Sequence, residues 1–187
     1  MTNLAFIVAA IVVWPKAREA SLGPALCVVL AMIGIGSGLF HTFATPWAAA
    51  VDVAPILGFV LIYLYGVFRE IFGRPAWQAW LGVIGFFPYA VVARAGFTQF
   101  AFLGSSASYM PIPLGLLIIA AFLCNRAPET AKAIVIGVLI LLVSITFRIL
   151  DEPLCANLPI GTHFLWHVLN ALMLGWMILV YARSPKV

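Results

Sequence analysis

The chain has 187 residues, of which 65% are hydrophobic and 9% charged, and its mean hydropathy is +1.14; these fractions exclude an ordinary soluble domain. The formal net charge of +4 comes from basic residues that stand singly or in pairs at the ends of apolar runs. They read as membrane-interface anchors, which excludes nucleic-acid binding. The apolar runs are continuous rather than alternating, so they predict a bundle of membrane helices and not a barrel.

In chain order, the first helix is expected over residues 2–14, ended by Pro15 and the charged Lys16, Arg18 and Glu19. It is too short to cross a hydrocarbon core of about 30 Å. The second covers residues 21–43 with Pro24 in its first turn, where a missing N–H does no harm. After a loop at 44–47 that holds Pro46 and no charge, the third covers 48–68 and is closed by Arg69, Glu70 and Arg74. The fourth covers 75–92, stops at Arg94, and carries Pro88 as a kink site near its end. Residues 95–108 read as an irregular aromatic loop ending in Gly104 and three serines. The fifth covers 109–124 with Pro111 and Pro113 at its start, and the sixth covers 131–150. A turn at 151–160 contains Pro153 and Pro159, and the seventh covers 161–181 before a polar tail. The expectation is one all-α domain over residues 1–187, a seven-transmembrane-helix bundle without an internal repeat.

All three histidines fall in two stretches: His41 near the end of the second helix, and His163 and His167 at the start of the seventh. Ser37 and His41 are one helical turn apart, as are His163 and His167, and Asp52 opens the third helix. Seven passes would put all five residues at similar depth under one membrane face. The other face would carry Lys16, Arg18, Arg69, Arg74, Arg126, Lys132, Arg183 and Lys186, against only Arg94 and Arg148 on the motif face. That bias predicts a cytoplasmic C-terminus, with the N-terminus and the motif face outside.

Ionisable side chains within membrane spans are costly and so are functional candidates. Three imidazoles and a water suit a catalytic zinc, which lowers the water's pKa towards about 7 and polarises a carbonyl oxygen. Asp52 is then the candidate to hold or deprotonate that water, and Ser37 the candidate donor to the developing oxyanion. Each residue also has a plainer explanation. His41 alone would be a hydrogen-bonded packing residue, Ser37 would bond the carbonyl one turn back or ease close helix packing among Gly34, Gly36 and Gly38, and Asp52 would favour a helix N-terminus. None of these explains why they converge on one face. Arg148 and Asp151, one turn apart, are expected to form a structural ion pair, with a role in orienting a ligand or Asp52 as the sharper alternative. Trp47, Trp166 and Tyr109 are expected in the interfacial aromatic belt, with the lining of a lipid pocket's mouth as the alternative. Cys27, Cys124 and Cys155 have no metal-type spacing and predict neither a disulfide framework nor a cysteine-bound metal.

The pattern Ser37-x3-His41, then Asp52, then His163-x3-His167 opening the seventh helix resembles the alkaline ceramidase family. That family belongs to a wider group of seven-helix membrane proteins with the adiponectin and progestin receptors and the haemolysin III-like proteins. Thr2-Asn3-Leu4-Ala5-Phe6 resembles the family's first helix, Phe147-Arg148-x2-Asp151 and Cys155 the end of its sixth, and Gly161-Thr-His-Phe-Leu-Trp-His its seventh, in wording closer to the bacterial branch. The resemblance implies a zinc amidase that cleaves the fatty acyl amide of ceramide, a membrane lipid, to a sphingoid base and a fatty acid. It implies His41, His163 and His167 as zinc ligands, Asp52 as the residue activating the water, and Ser37 as a hydroxyl near the metal. Family members usually carry an acidic N-terminal segment, which in the animal enzymes binds calcium and supplies a cysteine partner for the one resembling Cys155. This chain starts at Met1-Thr2-Asn3, already inside the first helix, so a calcium site and a Cys155 disulfide are not expected. Two other classes compete: a receptor or haemolysin III-like protein with metal but little turnover, and a transporter, which the absence of an inverted repeat disfavours. The oligomeric state is not legible in the sequence.

Overall fold

In an apolar surrounding an unpaired backbone N–H or C=O is costly, and a helix pairs these groups within its own segment. The computed structural model describes residues 2–156, 158 and 160–185. The Pro159 expected in a turn and the Lys186 of the charge count lie outside the described residues. Among the described residues there is no strand. The helices are α1 (Leu4–Ala17), α2 (Gly23–Phe43), α3 (Pro46–Gly66), α4 (Ala76–Phe97), α5 (Pro111–Leu123), α6 (Pro128–Leu154) and α7 (His163–Arg183). Proline stands in the first turn of α2, α3, α5 and α6, where its missing N–H costs no helix bond.

Five of these are long and apolar enough to cross a membrane: α2, α3 extended through a wider turn to Ile71, α4, α6 and α7. A 3-10 segment, Ala101–Tyr109, qualifies together with α5 as a sixth, bent by 61° at their junction. With 14 residues, α1 reaches only about 21 Å at about 1.5 Å per residue. The chain therefore has the helices of a multi-pass membrane protein, five or six of them of spanning length. Side chains such as Val92 and Phe122, 73% and 70% exposed, suit lipid rather than water.

Three boundaries differ from expectation. Helix α1 runs through Pro15 to Ala17, because its buried face continues to Ala17, on whose carbonyl the start of α2 sits: a Cβ on Gly23 would collide there. Helix α4 continues past Pro88 and Arg94 to Phe97. Helix α6 continues to Leu154, so Asp151 is a helical residue and not part of a turn. In place of a loop, residues Ala101–Tyr109 are helical around a break at Gly104, whose φ of 48° falls where a side chain is disfavoured.

The chain groups into two compact units, Met1–Val83 with Leu174–Val187, and Ile84–Met173. In the first, Phe6 of α1 and Leu26, Leu30 and Ile33 of α2 are buried. The glycines of Gly34-Ile-Gly-Ser-Gly38 serve two neighbours. A Cβ on Gly34 would meet Asn3 and Ile7 of the α1 region, and one on Gly36 would collide with the Val51 carbonyl of α3. Small residues let helix backbones approach in this way. At the other end of this unit, the Ser21 hydroxyl donates to Glu70 and lies 2.9 Å from the Tyr181 hydroxyl. In the second unit the Tyr89 hydroxyl donates to the Pro111 carbonyl at 2.8 Å, and the buried Ser144 hydroxyl donates to the Trp166 carbonyl at 3.0 Å, tying α6 to α7.

Candidate metal centre

The end of α2 is set by Ala44, whose left-handed backbone (φ 48°) returns its N–H to the Phe40 carbonyl. Extended Thr45 follows and Pro46 opens α3. Gly36 stands eight residues before Ala44, and Asp52 seven after Thr45. An antiparallel pair joined by so short a turn puts these two at one level. A Cβ on Gly36 would lie 3.2 Å from the Asp52 Cα, so the missing side chain is what lets Asp52 stand beside α2 next to Ser37. Replacing Gly36 by Val must push α3 away, and overpacking of this kind costs about 1–3 kcal/mol. Gly38 has only the Asn3 amide near its would-be Cβ, at 3.9 Å. Thermal unfolding in detergent should therefore show Gly36→Val clearly destabilised and Gly38→Ala unchanged; equal midpoints would contradict this packing.

One residue beyond Gly36, the buried Ser37 hydroxyl donates to the Asn3 side-chain oxygen across 3.4 Å, a long bond. Asn3 is a polar neighbour to which the sequence assigned no role; its one signal was a polar residue just before the first apolar run. Imidazole Nδ1 of His41 lies 2.9 Å from the Ser37 carbonyl one turn back. A carbonyl can only accept, so Nδ1 carries the proton and Nε2 is the nitrogen placed to ligate.

In the second unit the same logic operates around Asp151. Its Oδ1 accepts from the backbone N–H of Thr162 at 2.6 Å and of His163 at 2.9 Å, supplying the first turn of α7 with an acceptor it otherwise lacks. Its Oδ2 lies 3.6 Å from His163 Nδ1. Gly161 makes this approach possible, with a φ of 65° and a position at which any Cβ would collide with Asp151 Oδ1. Thr162 adds a bond from its hydroxyl to the Phe147 carbonyl at 2.6 Å. One turn on, the His163 and His167 rings meet edge to face with centroids 4.8 Å apart, and His167 is 4% exposed.

The expected Arg148–Asp151 ion pair does not form. With its carboxylate turned onto the α7 donors, Asp151 leaves Arg148 to donate to Ser105 and Ser106 at 2.9 and 2.7 Å. The guanidinium carbon lies 5.1 Å from the Tyr109 ring centre and 5.7 Å from that of Trp166. Trp166 is therefore no belt residue but a buried one, while Trp47 is exposed.

His41, His163 and His167 are a group that could hold a metal ion, each offering one ring nitrogen, with those atoms within 4.8 Å of one another. An all-imidazole set suits zinc and its first-row neighbours. The residues fit such an ion in a second respect: metal-ligating histidines carry an acceptor on the other ring nitrogen, and here the Ser37 carbonyl faces His41 and Asp151 faces His163. Asp151→Asn keeps an acceptor for both α7 N–H groups but removes the charge beside His163. Losing such a partner typically weakens metal binding about 10- to 100-fold. Zinc titration of Asp151→Asn should show that loss with little change in thermal stability, whereas Asp151→Ala should also lose about 1 kcal/mol with the helix cap. Unchanged zinc affinity in the Asn variant would remove Asp151 from the centre.

The fold and the cluster together define a multi-pass helical membrane protein with a histidine group fit for a transition metal. No family model matches the chain, and no curated protein matches it.

Proposed function

We propose that the protein is a zinc-dependent lipid amide hydrolase of the alkaline ceramidase kind, cleaving the N-acyl amide of ceramide or a related N-acyl lipid to an amine and a fatty acid. The observation that carries this is the histidine group, two of whose members have their second nitrogen faced by an acceptor, combined with an aspartate seated beside Ser37 by Gly36. His41, His163 and His167 would hold the zinc, which when bound polarises the amide carbonyl and acidifies a water towards a pKa of about 7.

Asp52 takes a proton from the water as its oxygen bonds to the carbonyl carbon. It returns that proton to the amide nitrogen as the C–N bond breaks. The Ser37 hydroxyl, exchanging its long bond to Asn3, donates to the carbonyl oxygen as negative charge gathers there. We further propose seven crossings, with the N-terminus and the centre outside and the C-terminus cytoplasmic, an orientation supported by the excess of Lys and Arg at the opposite helix ends.

The test is hydrolysis of ceramide with a labelled acyl chain by the zinc-loaded protein in detergent. Release of labelled fatty acid is expected, and chelation should abolish it. Wild type that binds zinc yet releases nothing from ceramide or other N-acyl lipids would overturn the amidase assignment in favour of a receptor-like or haemolysin III-like protein.

A further inference from the structure

Arg148 stands on α6 against Trp166, the α7 residue between His163 and His167. Among the described residues no carboxylate lies within ion-pair distance of it. The nearest candidate on its own helix, Asp151, is engaged with the N-terminus of α7. Its guanidinium is nonetheless fixed in place by the Ser105 and Ser106 hydroxyl oxygens and by the faces of Tyr109 and Trp166.

A guanidinium has five N–H donors in a planar fork matched to carboxylate and phosphate, and both recorded serine bonds use a single nitrogen of that fork. Each serine oxygen accepts from Arg148, so each hydroxyl keeps its own proton to donate elsewhere. Donors therefore converge on a cation in a weakly polar setting, an arrangement that favours an oxyanion over a neutral hydroxyl.

The place is tied to the histidines through the same unit. The carbonyl of Phe147, the residue before Arg148, is gripped by Thr162, the residue before His163. Trp166, over whose face Arg148 lies, stands between His163 and His167 in α7. Ser105 is exposed, while Ser106 is buried.

We infer that the substrate is an N-acyl lipid whose amine part carries an oxyanion, carboxylate or phosphate, received by Arg148 with Ser105 and Ser106. This rests on the amidase assignment and narrows it: an uncharged ceramide would leave the cation unsatisfied, whereas an N-acyl amino acid or an N-acyl phosphoamine would fill it.

The test compares N-oleoylglycine with N-oleoylethanolamine, which share the acyl amide and differ in carboxylate against hydroxymethyl. N-oleoyl phosphoethanolamine forms a third arm that separates phosphate from carboxylate. Both kcat/KM and Kd, the latter by calorimetry in detergent, are measured for wild type, Arg148→Gln and Ser105→Ala. One charge-assisted hydrogen bond corresponds to about tenfold or more. Wild type should prefer at least one anionic amide by that factor, and Arg148→Gln should erase the preference while leaving the ethanolamide within about threefold, a change of under 1 kcal/mol. Ser105→Ala, at an exposed position that leaves the core intact, should lose part of the preference. A wild type without preference, or an Arg148→Gln that lowers all three amides together, would overturn the oxyanion site. If none of the amides is cleaved, the amidase assignment fails by itself, and the binding constants decide the site: a tenfold gap lost in Arg148→Gln upholds it, and equal affinities overturn it.

Discussion

His167→Ala and His167→Gln are expected to take the zinc content of the purified protein to background and to abolish fatty acid release. A zinc site of three protein ligands and one open position has no spare ligand, and His167 is the most buried of the three histidines. The Gln variant fills the space of the imidazole and retains a polar end, so it separates loss of a ligand from loss of packing; the Ala variant adds a cavity, which costs stability in its own right. Metal analysis after dialysis decides it. Zinc bound at wild-type stoichiometry in His167→Gln would show that the ion lies elsewhere. Zinc lost with hydrolysis retained would show that the reaction does not use it.

Continuous apolar runs dictated an all-helical membrane chain, because helices alone satisfy such backbone locally, and the breaks between runs located most helix ends to within a few residues. The failures share a cause. Pro15 and Asp151 were read as stops from local preference, but α1 continues because Ala17 is buried under the start of α2, and α6 continues with its carboxylate holding the first turn of α7. Both are contacts between the end of one helix and the start of the next, which the local preference of a single residue does not encode. Spacing of one turn put Arg148 and Asp151 on one face and suggested that they pair, yet it could not weigh the two α7 N–H groups competing for the same carboxylate. The Gly34-Ile-Gly-Ser-Gly38 stripe marked close packing, but only the structure separates Gly36, which bears on α3, from Gly38, which has room. The histidines were the most legible part of the centre, since i, i+4 spacing fixes a shared face on any helix; Asn3 was the least, since its partner Ser37 lies 34 residues away.

Asp52→Asn should lower kcat by about 10²- to 10⁴-fold, the usual contribution of a positioned proton acceptor, while zinc content and thermal stability stay at wild-type values. The substitution preserves size, and Asp52 meets Gly36 through its Cα rather than its carboxylate, so the seat on α2 survives. What is lost is the capacity to take a proton from water and hand it to the departing nitrogen. Gly36→Val makes the complementary change: the carboxylate keeps its chemistry but α3, and Asp52 with it, must move. Activity should fall in both variants, stability only in Gly36→Val. A misplacement of about 1 Å can itself cost about 100-fold, so the two losses are separated by their pH dependence. The Gly36→Val protein still has a carboxylate to titrate and should keep the acid limb of the rate profile, which Asp52→Asn should lose. An Asp52→Asn protein that keeps both its rate and that limb would mean that another group accepts the proton, and that Gly36 serves only to pack α2 against α3.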